Sequence, residues 1–419
     1  MTAPLAIVNI GQLATLASAS GARGPRTGPA MRELGIIHDA ALLVEDGRIR
    51  AAGRYGDLRG EITAEHVVID ADQRLVTPGF VDAHTHLAFA GNRAAEYEQR
   101  IAGATYQEIA AAGGGIQSTV RLTRAATEDE LLAQTRRHRD WMLRGGTTTL
   151  EAKSGYGLNT ETELRLLRVL AALDAEGPVR IVPTLLAAHT VPREFAEDRA
   201  GYIRSILEDL LPVVARDGLA RYCDAFCDDH AFTVDECRAV FAAAARYGLG
   251  LRIHAEQFRP GTGAALAAEL RAATADHLET IDDATIALLA RAGVQPVLLP
   301  ASVFCLSRTE YPPARRMIDA GLAVVVATDF NPGSAPAPSM AFTLSLACLQ
   351  MRMTPAEALA AATINAAHSL GLADEIGSLE AGKRADFLLH EIGDYRELAY
   401  FAAAPLRPRV FAGGREVTP

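Results

Sequence analysis

Residues 78–87 read Pro78-Gly79-Phe80-Val81-Asp82-Ala83-His84-Thr85-His86-Leu87. An apolar run, Phe80–His84, follows Gly79 and ends on two histidines that are two residues apart. In an extended chain, residues i and i+2 face the same side, so both imidazoles leave the strand end in one direction. Upstream, residues 1–78 read as short strands and turns. Leu42–Glu45 runs into Asp46-Gly47 and returns as Arg48–Ala52, and Val67–Asp70 and Arg74–Thr77 flank another turn. Downstream the texture changes. Apolar runs recur at Thr147–Glu151, Val179–Leu186, Ala220–Phe226, Leu249–His254, Ala272–His277, Val294–Leu299 and Leu322–Thr328. Helical patterns lie between most of them, such as Glu128–Leu143, Thr160–Ala175, Thr233–Tyr247 and Thr280–Arg291. Eight runs alternating with helices predict a parallel (β/α)8 barrel. The chain end is β-rich again, with Gly382–His390 strand-like and Gly413-Gly414 a turn. The expected fold is therefore α/β: a TIM-like barrel over residues 79–375, with a small β-sandwich domain built from both chain ends, residues 1–78 and 376–419. Gly21–Pro29, rich in Gly, Pro and Arg, reads as a surface loop.

A chain of 419 residues accommodates a barrel of this kind plus a smaller domain. The net charge is −10, and only Lys153 and Lys383 among the 41 basic residues are lysines. Without a basic run there is no electrostatic footprint for nucleic acid or an anionic membrane. No apolar run reaches the ~18 residues of a membrane helix. The first twenty residues lack a positive n-region, and Asn9 and Gln12 interrupt their apolar stretch, which argues against a signal peptide. Five cysteines, an odd number spread through the chain, suit a reducing cytoplasm.

In such barrels the chemistry sits where strands end. His84 and His86 end the first run, His254 ends the fifth and Asp329 follows the eighth. Three imidazoles and a carboxylate at strand ends make a zinc- or iron-type site. Each residue alone reads equally well as a cap or a satisfied core polar group; four such accidents together do not. Neither lysine ends the third, fourth or fifth run, where a carboxylated lysine would bridge two metals, so one metal is expected. Cys223 and Cys227, beside Asp228, Asp229 and His230, mimic a second site, but no further pair completes it, and both cysteines read as packing residues. His38, His66, His138, His368 and His390 lie away from strand ends and read as solvated or structural. Gly113-Gly114-Gly115 is not in a strand–turn–helix context and reads as a loop near the mouth rather than a dinucleotide site. Further polar groups belong to the same strand ends: Lys153 to Tyr156, His189, Gln257, His277, and Asn331 to Ser334, with Arg93 in the first loop. An Arg, a Tyr and a His around a metal suit a small anionic substrate. The plain alternative for Arg93 is a surface ion pair with Glu96.

The stretches PGFVDAHTHL (78–87) and GSLEAGKRADFLL (377–389) resemble the amidohydrolase superfamily. Within it, the chain resembles the imidazolonepropionase family from about Leu42 to its end. The motifs are residues 85–120, EAKSGYGL (151–158), TLLAAHTVP (184–192), HAEQ (254–257), ADHLE (275–279) and ATDFNPGSAP (327–336), in the family's order. The HTH motif is weakly specific, whereas GGGIQSTV, KSGYGL and TDFNPGS together are specific. The resemblance implies the metal ligands His84, His86, His254 and Asp329, holding one Zn²⁺ or Fe³⁺ per chain. It implies substrate contacts at Arg93, Tyr156, His189, Asn331, Gly333 and Ser334, and a homodimer. Three residues past the strand-five histidine some members carry Glu and others Gln; here stands Gln257, with Glu256 the nearest carboxylate. Phe258–Gly263 departs from the family's Gly-Gly pattern. The implied reaction is hydrolytic opening of 4-imidazolone-5-propanoate to N-formimidoyl-L-glutamate. Asp329 would serve as ligand and base, His277 as the group stabilising the oxyanion, Gln257 as a further catalytic and substrate-binding residue, and Arg93 as the clamp on the propionate tail, with Tyr156 and His189 aligning the ring. The alternative is a related metal-dependent deaminase or cyclic amidase on the same barrel; a neutral purine or pyrimidine gains nothing from Arg93.

Overall fold

The computed structural model describes residues 3–18, 21, 24–104, 108, 113–228, 231–402 and 404–417. Asp229 and His230 of the cysteine cluster, and residues 22–23 of the Gly21–Pro29 loop, lie outside the described residues.

Two sheets organise the chain. The first is mixed, built from β1 (Leu5–Ala14), β2 (Ile36–Glu45), β3 (Arg48–Arg54), β4 (Val67–Asp70) and β5 (Leu75–Pro78). The second holds β6 (Phe80–Asp82), β7 (Thr147–Lys153), β8 (Arg180–Ala188), β9 (Tyr222–Cys227), β10 (Gly250–Ala255), β11 (Thr274–His277), β12 (Gln295–Leu298) and β13 (Val325–Val326). The chain then returns to the first sheet with β14 (Phe387–Leu389), β15 (Arg409–Ala412) and β16 (Arg415–Val417).

The second sheet is the barrel: β6 to β13 lie side by side in chain order, each pair parallel. Helices cross between the strands, as right-handed β-to-β connections require. Their starts are encoded locally. Thr127 and Glu130 form a reciprocal capping box at Glu128–Arg144, and Thr233 and Glu236 repeat it at Val234–Arg246. Closure between the last strand and the first is short and backbone-mediated. Thr85 bridges Phe330, the Asp329 N–H donates to the His84 carbonyl (3.1 Å), and the His86 N–H donates to the Phe330 carbonyl (2.9 Å). The seam that closes the barrel is thus the one that sets Asp329 beside the two histidines.

The mixed sheet runs β16-β15-β14-β5-β1-β2-β3, with β4 also on β1. Its central strand, β1, was not among the strands expected from the sequence. Because side chains alternate across a strand, this sheet serves two cores. Phe387, Leu389 and Phe411 pack with Ile7 and Leu42 in a small core of their own, while Leu75, Leu388 and Val410 join the barrel core. Each buried side chain of this size contributes roughly 1.5–3 kcal/mol, so the two sheets are fastened along a continuous apolar face. Among the described residues no helix is long and apolar enough to cross a membrane.

Candidate active site

His84 and His86 leave the end of β6, His254 lies in β10, His277 ends β11, and Asp329 follows β13. His277 and Asp329 have positive φ (78° and 54°). That is a costly conformation for residues with side chains, and such strain recurs at functional sites. All five groups are buried. Asp329 Oδ1 is 3.5 Å from His84 Nε2 and 3.5 Å from His86 Nε2, and His254 Nε2 is 3.4 Å from His86 Nε2. The donors form two triads sharing His84: His84–His86–Asp329 and His84–His254–His277.

The opposite ring edges explain the aim. Asp276 Oδ2 is 2.6 Å from His84 Nδ1, Asp224 Oδ1 is 3.0 Å from His254 Nδ1, and Glu279 Oε1 is 3.4 Å from His277 Nδ1. A carboxylate on Nδ1 fixes the tautomer that presents an Nε2 lone pair, as in metal-ligating histidines generally. His84 Nε2 is buried with no hydrogen-bond partner among the described residues, which a cation would supply. Burial pushes His84 and His86 well below the usual imidazole range and His254 down to about 4, so these rings are neutral donors. His277 is different: burial opposes its protonation, but Glu279 and then Asp329 outweigh burial and raise it. Burial pushes the Asp329 carboxyl up to about 6. Three neutral imidazoles, a carboxylate and an adjacent protonatable imidazole form a donor set that fits a metal ion.

A cavity of about 690 Å³ opens over this cluster. All the substrate-contact residues expected from the sequence line it: Arg93, Tyr156, His189, Gln257, Asn331, Gly333 and Ser334. His189 stacks on His86 (centroids 5.2 Å, 22°), and Tyr156 lies 5.4 Å from His189. Arg93 both lines the cavity and pairs with Glu96 (2.7 Å through Nε), so the two alternatives for it coexist, and among the described residues its terminal nitrogens have no hydrogen-bond partner. Gly333 lies against the Arg93 guanidinium, the movable end of that side chain, where an added Cβ would press on Nη1. Asn331 spends its carboxamide on its own loop, donating to the Asp329 carbonyl and Ser334 Oγ and accepting from the Gly333 and Ser334 N–H groups. Glu256 turns away, accepting from the Ala264 N–H (3.0 Å), which leaves Gln257 as the cavity residue. Cys223 and Cys227 are buried free thiols.

The sequence reading missed two groups. Arg100 and Arg308 also line the cavity; Arg100 lies seven residues after Arg93, one helix face along, which was a usable signal. It also missed charges inside the apolar runs: Glu151, Asp224 and Arg252, none of them exposed to solvent.

The amidohydrolase family model matches residues 75–417. The imidazolonepropionase of Solibacter usitatus is 56% identical over 98% of this chain and 97% of its own length. That of Brevibacillus brevis is 46% identical over 96% and 94%. The chain belongs to the imidazolonepropionase branch of the amidohydrolase family. Solved structures similar to this amidohydrolase include 5-methylcytosine deaminase from Klebsiella pneumoniae (TM-score 0.74, 18% identity, covering 99% of this chain and 97% of that one). E. coli guanine deaminase is another (TM-score 0.72, 16% identity, 100% and 99%). At those identities the likeness is one of fold.

Proposed function

We propose that this amidohydrolase opens the ring of 4-imidazolone-5-propanoate with water, giving N-formimidoyl-L-glutamate, the third step of histidine degradation. The observation that carries this reading is Arg93. An arginine faces the same cavity as a His/Asp donor cluster, which matches a substrate with a hydrolysable ring amide at one end and a carboxylate at the other.

In this reading His84, His86, His254 and Asp329 hold one ion per chain, Zn²⁺ or Fe³⁺. When bound, the ion supplies Lewis acidity that lowers the pKa of water. Asp329 accepts the proton of the attacking water at its carboxylate. The water oxygen adds to the ring carbonyl carbon, the ring C–N bond breaks, and the proton passes to the departing nitrogen. His277, raised by Glu279, donates to the developing oxyanion. Arg93 clamps the propionate, and Tyr156, His189 and Gln257 align the ring, with Gly333 and Ser334 contacting the tail end of the cavity. The working limits of the domains are 1–78 with 376–419 for the small β domain and 79–375 for the barrel. The proposed setting is a cytoplasmic homodimer acting on a small molecule, with no nucleic-acid or membrane partner.

The direct test is loss of imidazolonepropionate absorbance on addition of metal-loaded protein, alongside a panel of purine and pyrimidine bases. Turnover of imidazolonepropionate alone supports the reading; turnover of a base and not of imidazolonepropionate overturns it.

A further inference from the structure

Beneath the donor cluster lies a set of buried charges that the reaction does not touch. Lys153 Nζ is 2.8 Å from Glu151 Oε1 and 2.8 Å from Asp224 Oδ2, and all three side chains are wholly buried. Each carboxylate has a second task. Glu151 Oε2 accepts from the Thr85 N–H (3.3 Å), and Thr85 Oγ1 donates to the Glu151 carbonyl (2.6 Å). Thr85 is the residue between His84 and His86. Asp224 Oδ1 meets His254 Nδ1 at 3.0 Å. One ammonium therefore joins two chains of contacts, one ending at the strand-one histidine pair and the other at the strand-five histidine.

The topology makes this a repeatable arrangement. In a (β/α)8 barrel, inward side chains of alternate strands share a layer. His84 and His254 come from barrel strands one and five, whereas Lys153, Asp224 and Asp276 come from strands two, four and six. The even strands thus form the floor on which the odd-strand ligands rest. The residue type is also informative. Of 41 basic residues, 39 are arginines, yet the buried position between two carboxylates is lysine. A compact ammonium with three rotatable donors fits there, and a planar fork does not. The floor is charged: burial disfavours the Lys153 ammonium, but Asp224 and Glu151 outweigh burial and raise it. Burial pushes Asp224 up, but His254 and Lys153 hold it well below the usual carboxylate range.

We propose that Lys153 is a positioning residue that locks the His84-Thr85-His86 segment and His254 into one metal-binding geometry through Glu151 and Asp224. The proposal rests on reading the donor cluster as a metal site, but not on the identity of the substrate. Outer partners of metal-ligating histidines typically change metal affinity by about 10- to 100-fold when lost.

The test uses full-length protein loaded with Co²⁺, whose visible spectrum reports ligand geometry, and follows release to a chromophoric chelator. Lys153→Met, folded by circular dichroism, is expected to release Co²⁺ about 10- to 100-fold faster than wild type with a shifted visible spectrum. Lys153→Arg is expected not to restore either property, and Lys383→Met, the other lysine, to match wild type in both. A folded Lys153→Met with the wild-type spectrum and release rate overturns the proposal. So does equal acceleration in Lys383→Met, which would make the effect one of general stability. Where Lys153→Met does not accumulate, Glu151→Gln, isosteric and uncharged, decides: faster release supports the tie, and wild-type release refutes it. Failure of the substrate reading shows instead as metal rates that behave as expected in a protein inert toward imidazolonepropionate.

Discussion

Replacing Arg93 by alanine tests the substrate assignment where it is most exposed to error. The Arg93 side chain is 19% exposed and that of Glu96 14%, and their contact occupies Nε alone. The terminal nitrogens are left to grip a carboxylate as a fork. Losing a partly buried charge-assisted pair costs about 2–4 kcal/mol, or about 30- to 1000-fold in kcat/KM. The tail contact is the same in ground and transition states, so the loss belongs in KM rather than kcat. A second effect follows from the pair itself. Without Arg93, the Glu96 carboxylate keeps the Gly115 N–H (3.0 Å) but loses its counter-charge, and its repulsion of the substrate's tail adds about 1–2 kcal/mol after screening. The double variant Arg93→Ala/Glu96→Ala is therefore expected to recover about tenfold of the loss, a gain on deleting a second residue. Arg93→Lys keeps the charge without the fork and should fall between. Steady-state kinetics of the four proteins on imidazolonepropionate measure all of this. Wild-type KM in Arg93→Ala refutes the clamp, and a double variant no better than the single one refutes the role given to Glu96.

His277→Ala should retain its metal and lose about 10²–10³ in kcat, by analogy with oxyanion-hole donors; metal content and turnover on one preparation check it, and metal loss would make His277 a ligand. Purified wild type should carry about one equivalent of metal by elemental analysis and Asp329→Ala much less, whereas two tightly bound equivalents would refute a mononuclear site. Burial pushes the His390 imidazole down to about 3, where its Nε2 meets Thr77 Oγ1 at 2.9 Å. Unfolded, the group titrates near 6.5, so the unfolded chain binds the extra proton between those values: the contribution is full above about pH 6.5 and is lost as pH falls, at about 1.4 kcal/mol per pH unit. His390→Gln should flatten the urea-measured stability slope between pH 6 and 4.5 by about that amount, and an unchanged slope would refute it.

What the sequence made legible follows from which signals are local. Apolar runs with reactive residues at their ends are local, so the barrel could be read, and His84, His86, His254 and Asp329 could be named as one candidate set; their nearest atoms lie 3.4–3.5 Å apart. β1 was missed because Leu5–Ala14 pairs with segments far along the chain, and nothing next to it in sequence marks it as central. Glu151 and Asp224 were missed for a different reason. A charge inside an apolar run looks like an interruption, and its purpose appears only when a partner arrives from another strand, as Lys153 does for Asp224 across 71 positions. The cost of burying such charges turns this into a rule for reading barrels. A buried carboxylate without a partner costs several kcal/mol, so an acidic residue near the end of an inward-facing run must have a partner opposite it: a cation, an imidazole, or hydrogen-bond donors such as the Thr328 N–H and hydroxyl at Asp82. In this chain the imidazoles opposite Asp224 and Asp276 are His254 and His84, two of the groups that the cavity chemistry needs. The unexplained charges within the runs therefore pointed at the same site as the histidines at their ends.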